Sequence, residues 1–143
     1  MSDALAAFQA GEKIEFTRGD DFDVILTIKH GDGPGEIPIG QALLEAWWTV
    51  KSGSNILVPD AQAIIQKHVT TTLSPTGGIF VTTDADGTMF STLKFVLSTA
   101  DTLLFDAGGD AYYWDAPARS TAGKSGTLRR GYLNVIEQIT QSG

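Results

Sequence analysis

The sequence predicts an all-β fold: an antiparallel sandwich of seven or eight strands with one or two short helical turns. Three observations carry this. Apolar and polar residues alternate over short runs, the period of a half-buried strand. Clusters of Gly, Asp, Ser and Pro separate those runs. Sixteen glycines and many threonines favour turns and strands over helices. A chain of 143 residues fits one domain, and no repeat or low-complexity stretch divides it. The reading is an N-terminal arm over 1–13, one sandwich over 14–140 and a tail over 141–143.

The elements follow in order. The arm carries Leu5, Ala6, Ala7 and Phe8 without a strong period; it frays, or orders on a neighbouring subunit. Ile14 to Thr17 is a short strand, and Arg18-Gly19-Asp20-Asp21 turns the chain. From Phe22 to Lys29, Phe22, Val24, Leu26 and Ile28 share one face, with Ile25 breaking the alternation. Gly31 to Gly35 is a turn by composition. Leu44, Ala46, Trp48 and Val50 then line one face of a third strand, leaving Trp47 on the other with Glu45 and Thr49. Asn55 to Thr72 has two readings. The reading taken is that Asp60 caps a helical turn over Ala61 to Lys67 before a strand from His68; the alternative is that Ile64 to Thr71 is itself a strand. Gly78 to Thr83 is a strand, Asp84 to Gly87 its turn, and Phe90 to Ser98 a strand with Leu93, Phe95 and Leu97 inward. Ser98 caps a helical turn within Thr99 to Phe105, with Asp101 favoured in its first turn by the helix dipole.

The organising stretch is a hairpin from Gly108 to Ile136, two β-rich runs around a polar tip at Arg119 to Ser125. Tyr112, Trp114 and Ala116 share one face of its first strand. Leu128 and Leu133 have opposite parity on the return strand, so a bulge is required, and Gly131 is the expected place. The run Asp110-Ala111-Tyr112-Tyr113-Trp114 resembles the tyrosine corner of immunoglobulin-like sandwiches. Tyr112 stands as the corner tyrosine and Trp114 where the second core cysteine would be. The phenol of Tyr112 is then expected to bond a backbone group upstream. The candidate core is Phe22, Leu26, Trp48, Phe95, Tyr112, Trp114 and Leu133.

Composition narrows the function. A chain without cysteine has no disulfide scaffold, cysteine zinc site or thiol nucleophile. A formal charge of −7 opposes a phosphate backbone, so nucleic acid is not an expected partner. No apolar run approaches the roughly 20 residues of a membrane span, and the opening Met1-Ser2-Asp3-Ala4-Leu5 lacks the order of a signal peptide. The expectation is a protein made in a cytoplasm that stays or assembles there, with no membrane partner.

Four motifs compete with this reading. Ala118 to Ser125 fits a loose phosphate-loop pattern, but a β-rich run follows where that chemistry needs a helix, so a hairpin loop is expected. Asp84-Ala85-Asp86-Gly87 resembles the start of a calcium loop, yet the position of the closing bidentate acid is Phe95. Arg18-Gly19-Asp20 spells an adhesion tripeptide and reads as a turn whose arginine pairs with a local acid. His30 and His68 lie in unrelated segments, and no nucleophile elbow frames a serine. No catalytic residue, cofactor or metal site is expected.

The whole-chain order resembles the small immunoglobulin-like sandwich proteins of tailed bacteriophage virions: baseplate, tail and head-decoration modules. The likeness rests on Arg18 to Phe22, on Gly109 to Asp115 and on Thr127 to Val135. It implies a virion structural protein made in the bacterial host cytoplasm and present in multiple copies, with other phage virion proteins (tail, baseplate or major capsid) as partners and no catalysis. The candidate interface is then Leu5, Phe8, Trp47, Tyr113 and Tyr132. The alternative is a carbohydrate- or ligand-binding sandwich in which Trp47, Tyr113 and Tyr132 form an aromatic platform.

Overall fold

A computed structural model describes residues 12–33, 36–52, 63–75, 77–106 and 112–137. The strands are β1 (Glu12–Thr17), β2 (Phe22–Lys29), β3 (Leu43–Ser52), β4 (Ile65–Thr70), β5 (Gly77–Thr83), β6 (Met89–Leu97), β7 (Tyr112–Ser120) and β8 (Ser125–Ile136), with a single helical turn, α1 (Thr99–Thr102), before β7. They form a five-stranded sheet, β1-β8-β7-β3-β4, and a three-stranded sheet, β2-β6-β5. The fold is an all-β sandwich.

One pairing departs from the expected antiparallel order: β1 runs parallel to β8. The cause is the tight turn after β1. Asp20 N–H donates to Thr17 O at 3.1 Å, and Gly19 adopts φ 92°, so the chain passes at once into the other sheet. That leaves β1 on the edge beside the last strand, and Arg18 N–H extends the ladder to Ile136 O at 2.7 Å.

Two irregularities correct the expected faces. In β3 the register shifts between Leu43 and Glu45, so Leu43 is buried and Leu44 exposed, the reverse of unbroken alternation. In the β7–β8 hairpin Ala116 pairs Arg129 and Pro117 pairs Thr127, which makes Leu128 the extra residue. The bulge that parity requires is therefore at Leu128, and Gly131 pairs regularly with Trp114. Pro117 explains the place: it has no N–H for a regular ladder, and central strands accept proline at bulges. Leu128 packs partly against the core and Leu133 is buried in it.

The core lies between the sheets. Trp48 and Trp114 pack with ring centroids 6.5 Å apart, and Leu26, Phe95, Tyr112 and Leu133 are buried with them. Phe22, expected inside, is half-buried at the rim, its ring 5.6 Å from Phe16. At the sheet ends Tyr112 forms the corner: its hydroxyl accepts Asp106 N–H at 2.9 Å, six residues upstream. Its ring meets Phe105 edge-on at 5.0 Å, and Arg18 Nε donates to Phe105 O at 2.7 Å. Ser98 and Asp101 cap α1 reciprocally, each side chain bonding the other's backbone N–H. Burial alone would raise the Asp101 carboxyl's pKa. The hydrogen bonds from Lys67, 2.8 Å away, and from the Ser98 backbone outweigh it, so the pKa is lowered.

The helical turn over Ala61 to Lys67 is not formed where it can be seen. Residues 65–67 belong to β4, as in the alternative reading, with Ile65 opposite Val50. Asp60 and Ala61, like most of the N-terminal arm and the tail, lie outside the described residues.

Candidate functional site

The outer face of the five-stranded sheet carries the exposed aromatic side chains that the sequence singled out. Tyr113 on β7 and Tyr132 on β8 are direct cross-strand partners, 41% and 43% exposed. Their row continues across two more strands, with Lys13 opposite Tyr132 and Lys51 opposite Tyr113. Neighbouring strands lie about 4.8 Å apart, so the four side chains form a transverse stripe about 14 Å long. Side chains at one level of a sheet share a face, so the order lysine, tyrosine, tyrosine, lysine presents two flat rings between two amines.

Trp47 is on the same face but not in the same stripe. It lies four positions from Lys51 along β3, about 13 Å of strand, and the Thr49–Asp115–Arg130 row lies between. Trp47 is half-buried, its ring 5.0 Å from His68 on β4. His68 Nε2 donates to Glu45 at 2.8 Å, and Arg119 bridges the same carboxylate from β7. The bond from His68 and the nearby guanidinium hold the Glu45 carboxyl below its usual range, against the opposing effect of burial. Trp47 is thus covered mainly from within the fold. The structure brings Tyr113 and Tyr132 together and leaves Trp47 apart; Leu5 and Phe8 lie outside the described residues.

The competing motifs resolve into structural devices. Ser120 N–H donates to Lys124 O at 2.8 Å, and Gly123, at φ 83°, completes the hairpin tip, with β8 beginning at Ser125. One oxygen of Asp84 accepts both Asp86 and Thr88 N–H at 2.9 Å, closing its turn, while Phe95 is fully buried. Arg18 is held by Phe105 O and lies 3.9 Å from Glu137, an acid distant in sequence rather than a local one. His30 is only 6% exposed, with Nε2 2.7 Å from Ser91 Oγ and Nδ1 without a partner. Burial pushes its pKa down, which favours the neutral ring. Ser91 is fully buried too, out of reach of any substrate.

Among the described residues no cluster of three metal-ligating side chains converges, and no helix is long and apolar enough to cross a membrane. No known protein-family profile matches the chain, and no curated protein matches it. The lysines of the stripe are what sequence reasoning missed. Parity places Lys51 on the face of Trp47, but only the register brings it beside Tyr113, and no local signal pairs β1 with β8.

Proposed function

We propose that the protein is a non-enzymatic structural component of a tailed-bacteriophage virion. It is present in multiple copies and docks on a ring or shell of the tail, baseplate or capsid. The observation that carries this reading is the Tyr113–Tyr132 pair, set between Lys13 and Lys51 on a sheet face. Exposed tyrosines that the core does not use are typical anchors of protein interfaces. The tyrosine corner and the hairpin it starts support the immunoglobulin-like part of the reading.

The test is a mass-spectrometric inventory of purified particles, followed by a Tyr113→Ser, Tyr132→Ser double variant. The expected result is many copies of the protein per particle and loss of incorporation in the variant without loss of fold. Absence of the protein from particles would sink the proposal. The glycan-binding alternative needs a shared ring platform, and the distance from Trp47 to the tyrosines weighs against it. Sugar binding by the isolated monomer would restore it.

A further inference from the structure

A groove of about 290 Å3 separates β1 from β2, lined by Lys13 to Glu15 on one side and Phe22 to Leu26 on the other. Among the described residues both walls are sheet edges, because β1 pairs only with β8 and β2 only with β6. Backbone groups alternate sides along a strand. His30 N–H donates to Met89 O, so the even-numbered residues of β2 serve β6 and the odd-numbered ones face away. Two of those outward positions are already used. Lys29 O accepts Ile37 N–H at 2.9 Å, and Thr27 O accepts Arg129 Nη2 at 3.0 Å. Among the described residues nothing bonds the outward backbone groups of Asp23 and Ile25, and these line the groove. By the same alternation Arg18 N–H, which bonds Ile136 O, puts the outward groups of Lys13 and Glu15 on the facing wall.

Among the described residues this stretch of edge keeps its backbone groups unpaired along a groove of mixed polar and apolar lining, and such an edge is a template for an added strand. Ile14, Val24 and Leu26 form its floor, and Ile25, 57% exposed, stands at its rim. The occupant that fits is the segment preceding β1. Ala4 to Gly11 carries no charge, and in extended form Leu5 and Phe8 point to opposite sides. Either face then sends one large side chain inward, while alanines let the backbones approach. The groove runs beside β1 itself, so the same chain's segment could fill it only by reversing within Ala10-Gly11-Glu12. A second copy's segment enters lengthwise without that reversal.

We propose that the N-terminal segment of one copy docks as an extra strand on Asp23–Ile25 of another, so that copies are linked by strand exchange. This rests on the multi-copy structural reading above. The chain has no cysteine, so the test is clean. Phe8→Cys protein is mixed with Ile25→Cys protein and treated with a short bis-maleimide. A covalent dimer is expected. It should vanish when the Ile25→Cys chain also carries Asp23→Pro, which deletes an outward N–H and leaves the β2–β6 ladder whole; thermal melts check that the fold survives. Two results overturn the inference: no dimer, or a dimer that Asp23→Pro leaves unchanged. A chain carrying both cysteines that cross-links only to itself would likewise overturn it. Protein present in particles without this cross-link defeats the strand exchange alone. Its absence from particles defeats the virion reading, whatever the cross-link shows.

Discussion

Tyr112→Phe isolates one bond of the corner. The variant keeps the ring and its edge-on packing against Phe105 and removes only the oxygen that accepts Asp106 N–H. A net intramolecular hydrogen bond contributes about 0.5–1.5 kcal/mol, and a donor left buried costs about 1–3. Asp106 is exposed, so water can reach its amide and the lower range applies. The expected loss is about 1 kcal/mol, or about 3–5 °C in Tm for a domain of this size. Urea unfolding followed by tryptophan fluorescence reads it, with a midpoint shift of about 0.5 M. Arg18→Met acts on the same segment through Phe105 O, so the double variant should be non-additive. An unchanged midpoint would show that the phenol adds nothing to the corner. A loss above about 3 kcal/mol would show that the ring, and not the bond alone, had moved.

Three further outcomes are expected. Trp114→Ala should lose about 3–5 kcal/mol, as buried aromatics do, whereas Trp47→Ala should lose less, since Trp47 is half-buried on the outer face against His68; equal denaturant midpoints would contradict the assigned faces. Burial lowers the folded pKa of His30, so the unfolded chain binds the proton more readily. Stability from this group is therefore complete above the unfolded pKa of about 6.5 and declines as pH falls through that value toward the folded one. His30→Gln should flatten the slope in melts stepped from neutral to acid pH, and parallel curves for the two proteins would refute it. Gly77→Ala should lose more than about 1 kcal/mol, because Gly77 adopts φ 128° and a Cβ there would strike the Lys94 carbonyl. Gly123→Ala, also at positive φ but with open space around it, should lose less in the same melts.

What the sequence makes legible is what short-range periodicity controls. β2 runs from Phe22 to Lys29 with its inner face as alternation requires, and Ser98 caps α1. Ambiguity enters where two periods agree. Ile65 and Val69 are four apart, a spacing that suits one face of a helix and one face of a strand equally, and only pairing with β3 decides for the strand. Bulges are harder still. The parity of Leu128 and Leu133 demands one, but its position depends on a proline in the partner strand and not on the nearest glycine. The candidate site is legible by halves. Tyr113 and Tyr132 stand out as large side chains on a polar face, whereas the lysines beside them come from β1 and β3, and register between distant strands leaves no trace in composition.

The parallel neighbours β1 and β8 give the body a polarity. Glu12 lies at one end of that ribbon and Ile136 at the other, so the polypeptide enters at one pole and leaves at the opposite one. Tension applied through the two ends slides β1 against β8 along their length and loads all six paired positions together, where an antiparallel pair held by adjacent ends would open one rung at a time. Single-molecule stretching of tandem copies should show a high rupture force that falls when Ile14→Pro removes a rung. A part built this way resists pulling along its own axis better than peeling from the side.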